Sequence, residues 1–142
     1  MADGSRIREL RTRRGLLQRE LAEMAGVTES AVRNYELGLR TPRPQHLEAL
    51  ARALGVAPAA LADYGVETAR DAIEVLCRLE EGCGARPEAD AGGARVAVDP
   101  AAPGAQKLDA AVRAWAALRA RRDSGEISEE EYLDWQRGFT GR

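Results

Sequence analysis

Glycines divide the first half of this chain at Gly15, Gly26, Gly38, Gly55 and Gly65, and each follows a short run with helical apolar spacing. A glycine just past such a run takes the left-handed conformation without a Cβ penalty, so the five positions read as helix ends. Ile7 and Leu10 are three apart. Leu17, Leu21, Ala22 and Ala25 share one face, as do Val32 and Tyr35, and Leu47, Leu50, Ala51 and Leu54 make the clearest stripe. Pro58 suits the first turn of a fifth helix ending near Tyr64. Five helices of about 8–12 residues joined by tight turns can bury their stripes only against one another. The expected fold class is therefore all-α, and an aromatic content of 4% agrees with a core of small side chains.

Beyond residue 65 the pattern loosens. A connecting helix is expected over 66–82, with Ala69, Ala72, Ile73, Leu76 and Leu79 on one side. Residues 83–105 collect Gly, Pro, Ala and Asp and read as a linker, within which Arg95–Asp99 alternates briefly as a short strand would. Helical spacing returns at Leu108, Val112, Trp115 and Leu118, and Ser124-Gly125 breaks it. Ser128 and Glu131 then form a capping box, with Ile127 and Tyr132 placed to staple a last helix running toward Phe139. Residues 106–142 thus read as a C-terminal helical hairpin, with Trp115 and Trp135 as packing anchors between its helices. The expected domains are 1–65, 66–82, 83–105 and 106–142.

Charge separates the two halves. Residues 1–64 hold ten arginines and eight acidic groups, net +2, while residues 65–142 carry net -4. The overall -2 excludes a uniformly basic nucleic-acid coat. Nearly all basic residues are arginine, whose planar fork fits phosphates and guanine edges, although a GC-rich genome biases a chain in the same direction. No window approaches the ~20 apolar residues of a membrane span, and the first residues are charged, so a soluble cytoplasmic protein is expected. Cys77 and Cys83 are too few for a disulfide framework, and His46, the sole histidine, lies far from both. No metal site, cofactor fingerprint or nucleophile–base pair is read, and no enzymatic activity is expected.

The informative stretch runs from Gln18 to Pro44. One helix ends near Ala25, the chain turns through Gly26-Val27, and a second helix begins after Thr28, whose hydroxyl can cap it. Two short helices joined by a tight Gly-containing turn form a helix-turn-helix, which projects its second helix from the surface. In Leu16-Leu-Gln-Arg-Glu-Leu-Ala22, Gly26-Val-Thr28, Ala31-Val-Arg-Asn-Tyr-Glu36, Gly38-Leu-Arg40, Pro42 and Leu47 through Val56, the sequence resembles the Cro/cI-type (Xre-like) helix-turn-helix family over about residues 5–64. The resemblance implies a five-helix lambda-repressor-like DNA-binding domain. It places Glu29, Ser30, Arg33 and Asn34 at base-reading positions, and Gln18, Thr28, Arg40 and Arg43 at DNA-backbone positions. Glu36 matches a frequent glutamate whose role is structural.

Chemistry supports most of these assignments. Arg33 can fork onto guanine O6 and N7, and Asn34 can pair with adenine N6 and N7. Glu29 would repel phosphates unless it accepts from a cytosine amine. One residue departs from the family pattern: Leu17 stands where Ser or Thr is usual, which removes a side-chain cap worth about 0.5–2 kcal/mol. The cluster Arg11, Arg13, Arg14 fits a phosphate stripe or a merely solvated helix end equally well. The expected function is a sequence-specific transcriptional regulator, a repressor binding double-stranded DNA as a homodimer. The alternative is an adaptor or antitoxin-like protein whose residues 66–142 bind a protein partner while its helix-turn-helix autoregulates.

Overall fold

The computed structural model describes residues 2–138; Phe139, toward which the last helical pattern points, and the rest of the segment to 142 lie outside them. The described chain forms two compact units, residues 2–64 with 133–138 and residues 65–132.

In the first unit four α-helices follow one another: α1 (Gly4–Arg13), α2 (Gln18–Ala25), α3 (Glu29–Glu36) and α4 (Pro44–Leu54). Each start has a local cause. The Asp3 carboxylate accepts from the Ser5 and Arg6 amides, the Thr28 hydroxyl accepts from the Ala31 amide at 3.1 Å, and Pro44 occupies the first turn of α4. Leu17 gives α2 no side-chain cap; instead its own amide donates to the Glu20 carboxylate at 2.7 Å, which is half of a capping box. Gly26 ends α2 at φ 66°, so the chain reverses within three residues and α3 crosses α2. The stripes meet in one core of Ile7, Leu10, Leu21, Val32, Tyr35, Leu50, Leu54 and Leu61, all nearly inaccessible to water. Burying each large aliphatic side chain stabilises the unit by about 1.5–3 kcal/mol.

The expected fifth helix is a single 3₁₀ turn, Pro58–Leu61. It stops there because the chain is pulled straight by tertiary pairing: Ala62 bridges to Ala2, and the Asp3 amide donates to the Leu61 carbonyl at 2.9 Å. Residues 133–138 also belong to this unit. The Ala57 amide donates to the Arg137 carbonyl, and the nearly buried Arg137 guanidinium pairs with Glu9 at 2.9 Å.

In the second unit α5 (Ala69–Cys83) starts at a capping box of Thr68 and Asp71, three residues later than the apolar pattern alone implies. The stretch read as linker corrects to an antiparallel hairpin of β1 (Ala85–Asp90) and β2 (Gly93–Val98). Its alternation emerges only on pairing. Ala85, Pro87 and Ala89 oppose Val98, Val96 and Ala94 on one face, whereas Arg95 reaches Glu88 and Asp90 on the other. Helix α6 (Gln106–Asp123) buries no side chain fully. Trp115 donates its indole N–H to the Tyr132 hydroxyl at 2.6 Å in this unit, while Trp135 falls in the first. Ser128 and Glu131 cap α7 (Glu129–Gly138) reciprocally, as the capping box predicts.

Gly4 lies against α3, and a Cβ there would collide with the Tyr35 carbonyl oxygen, a backbone atom that cannot yield. Gly4→Ala is expected to lose about 1–3 kcal/mol in urea denaturation, against the usual gain for glycine-to-alanine in a helix. The Asp3 cap adds a pH dependence. Hydrogen bonds from the Ser5 side chain, then from the Arg6 and Ser5 amides, hold its carboxyl below the ordinary aspartate value. Its contribution is therefore complete above that ordinary value and lost as pH falls through the depressed one. Asp3→Ala should lower stability at neutral pH by about 1 kcal/mol and flatten this part of the acid limb.

Candidate nucleic-acid interface

Helix α3 has two chemically distinct faces. Val32 and Tyr35 point into the core with Ala31 packed beside them, and Val27 packs on the core just before the Thr28 cap. At 100° per residue the opposite side carries Glu29, Ser30, Arg33 and Asn34. Glu29, Ser30 and Arg33 are exposed and Asn34 is half-buried. The Asn34 carbonyl accepts from the Leu39 and Arg40 amides at 3.0 and 3.3 Å, which folds the following loop back against the end of α3. That loop carries Arg40 and leads to Arg43 at the start of α4, both exposed. Among the described residues the guanidinium groups of Arg33, Arg40 and Arg43 have no hydrogen-bond or ion-pair partner. Three cations thus flank an open helix face with their donors unspent.

What holds α3 in this attitude is a polar cluster on its inner edge. The Glu36 carboxylate, with 3% of its side chain exposed, accepts from Arg11 of α1 through Nε at 2.5 Å and Nη2 at 3.1 Å. It also accepts from Gln18 Nε2 of α2 at 2.9 Å. Arg11 spends a third nitrogen on the Leu16 carbonyl at 2.7 Å, at the start of the connection into α2. The hydrogen bond to Glu36 raises the Arg11 pKa above its ordinary value, so Arg11 stays charged at any physiological pH. Glu36 is thus structural, as the family pattern implies, and Arg11 belongs to the scaffold rather than to a phosphate stripe. Gln18 has its amide nitrogen committed to Glu36, and Thr28 has its hydroxyl committed to the α3 cap.

Two features escape a reading of the sequence. His46 bonds the Tyr35 hydroxyl through Nδ1 at 2.9 Å, joining α3 to α4; a lone histidine gives no local signal of such a partner. Leu37 and Leu39 stand exposed beside the open face of α3, and Leu39 is 75% exposed. Two leucines flanking Gly38 outside any stripe are the signal that marks them. Among the described residues no cluster of three or more His, Cys, Asp or Glu side chains is placed to hold a metal ion, and no helix is long and apolar enough to cross a membrane.

A helix pair joined by a glycine turn, with the second helix buried on one face and open on the other beside free arginines, defines a DNA-binding domain of the transcription-regulator class. Residues 7–61 match the helix-turn-helix family, and the chain belongs to it. It is similar to the restriction-modification controller protein C.AhdI from Aeromonas hydrophila, at 41% identity over 42% of this chain and 89% of that one, with a TM-score of 0.41. It is also similar to the SinR protein/SinI protein complex, at 35% identity over 55% of this chain and 77% of the other, with a TM-score of 0.43.

Removing Glu36 leaves the largely buried Arg11 without its counter-charge. Glu36→Ala is expected to destabilise the protein by about 3 kcal/mol in chemical denaturation, and the double variant Arg11→Met, Glu36→Leu to recover most of that loss.

Proposed function

We propose that the protein is a cytoplasmic repressor that binds a specific operator as a homodimer, laying α3 in the major groove of each half-site. One helix of eight residues covers only a few base pairs, so useful specificity requires two copies reading half-sites about one helical turn apart. Glu29, Ser30, Arg33 and Asn34 read base edges: Arg33 forks onto guanine, and Asn34 pairs with adenine. Gln18, Thr28, Arg40 and Arg43 fix the register on phosphate. Glu29 tolerates the anionic groove only where a cytosine amine donates to it.

The observation that carries this reading is the free guanidinium of Arg33 on the exposed face of α3, away from the Val32 and Tyr35 core contacts. An arginine kept for stability would be spent on a carboxylate or carbonyl, as Arg11 is. Gln18 and Thr28 suit positioning, because side chains already fixed by Glu36 and by the α3 amide present backbone amides and remaining polar atoms in one orientation.

The test uses the full chain and an operator selected from a random duplex library, read by fluorescence anisotropy at two salt concentrations. Arg33→Ala or Asn34→Ala is expected to weaken operator binding by about 1–3 kcal/mol and to relax preference at one base pair per half-site. Arg40→Ala is expected to weaken operator and scrambled duplex alike and to make the salt slope shallower by about one contact per subunit. Melting temperature should stay near the parent value in all three. Affinity that is flat between low and physiological salt would overturn the reading.

A further inference from the structure

The second unit holds an apolar surface that its own chain leaves uncovered. Ile73, Leu76 and Cys77 of α5 and the apolar face of the hairpin, Pro87, Ala89 and Val96, line an open groove of about 480 Å³. Ile73 is 59% exposed and Val96 46%, and no residue of α5 is fully buried despite its strong apolar stripe. A two-stranded hairpin is marginal in water without cover on its apolar face, so a surface of this kind calls for a partner.

The charges on α5 identify that partner. Arg70 sits in the first turn and Glu80 and Glu81 in the last, each at the helix end whose dipole opposes it. None of the three has an ion-pair partner among the described residues. They cannot pair with each other within one chain, because eleven residues of helix separate Arg70 from Glu81 by about 16 Å. A second α5 laid antiparallel removes all of these conflicts together. Arg70 of each copy then meets Glu80 and Glu81 of the other, the two helix dipoles oppose, and Ile73 of each copy lies over Leu76 and Cys77 of its mate. Such a contact is self-complementary about a two-fold axis, as a closed dimer requires.

We propose that this groove is a docking surface for a second copy of this chain, with the two α5 helices antiparallel and their ends joined by Arg70–Glu80/Glu81 pairs. The inference deepens the homodimer reading above by naming the surface through which two copies join. It concerns assembly in the absence of DNA.

The experiment is sedimentation equilibrium of the full chain without DNA, with circular dichroism to confirm folding. The native protein is expected to be a dimer at micromolar concentration. Ile73→Glu, at an exposed site that carries no core packing, should weaken the dimer at least about tenfold by placing a charge in the contact. Arg70→Glu and Glu81→Arg should each weaken self-association, because each juxtaposes like charges. An equimolar mixture of these two variants should restore the dimer in large part, since both 70–81 pairs across the axis are then opposite in sign. A monomeric native protein, a dimer indifferent to Ile73→Glu, or a mixture no better than its components would each overturn the proposal. A monomer that retains salt-dependent operator binding sinks this inference alone. A dimer with these responses that ignores DNA sinks the functional reading alone.

Discussion

The Glu36 carboxylate lies where α1, α2 and α3 meet, and the pose of α3 depends on it. A carboxylate so nearly withdrawn from water is costly unless its oxygens are filled, and here two nitrogens of Arg11 and the amide of Gln18 fill them. The bidentate fork sets direction as well as distance, because a planar guanidinium meets a carboxylate edge-on. Since Arg11 also holds the Leu16 carbonyl, one side chain ties the first helix to the third and to the start of the second. The apolar core supplies most of the stabilising free energy, but apolar contacts tolerate sliding. The polar cluster selects one rotation of α3 among those the core would accept.

That selection matters because the two faces of α3 have opposite requirements. Val32 and Tyr35 are dry, and Tyr35 reaches His46; Ser30 and Arg33 are exposed to water. A rotation of one residue would bury Arg33 and expose Tyr35. Gly26 and Gly4 serve the same end from the backbone side. The left-handed turn at Gly26 lets α3 follow α2 at once, and the missing side chain at Gly4 lets α1 approach the carbonyl end of α3. The exposed face of α3 is thereby built on rigid elements rather than on a mobile loop.

The second unit is organised on different terms. Its helices α5 and α6 bury nothing completely, and its hairpin carries cross-strand ion pairs exposed to solvent, which contribute little each. Gly84 lies close against Ala102 and Ala105, and Ala85 and Ala105 are buried. An apolar groove and a helix with charges at the ends its dipole disfavours are what remain when such a unit is considered as one copy.

Local chemistry made the helix-turn-helix legible in the sequence. The Leu50 stripe, the Thr28 cap, the Gly26 stop and the Ser128–Glu131 box act over three or four residues, so spacing alone reveals them, and α1 through α4 and the outward residues of α3 follow. Contacts between distant residues left no such trace. Arg11 reads equally as solvated or phosphate-binding until Glu36, twenty-five positions on, is brought to it. The hairpin hides in Ala, Pro and Gly because small residues carry almost no alternation until Ala85 faces Val98 and Pro87 faces Val96. The helix expected after Pro58 gives way to a 3₁₀ turn because Ala2 and Asp3, at the far end of the domain, claim its last residues as extended backbone. The sequence by itself thus determined where α1 through α4 begin and end and which face of each is apolar, since those depend on neighbours a turn away. Only the tertiary structure decided which polar groups are consumed in holding the fold and which are left free at the surface, because that depends on partners that chain spacing cannot identify.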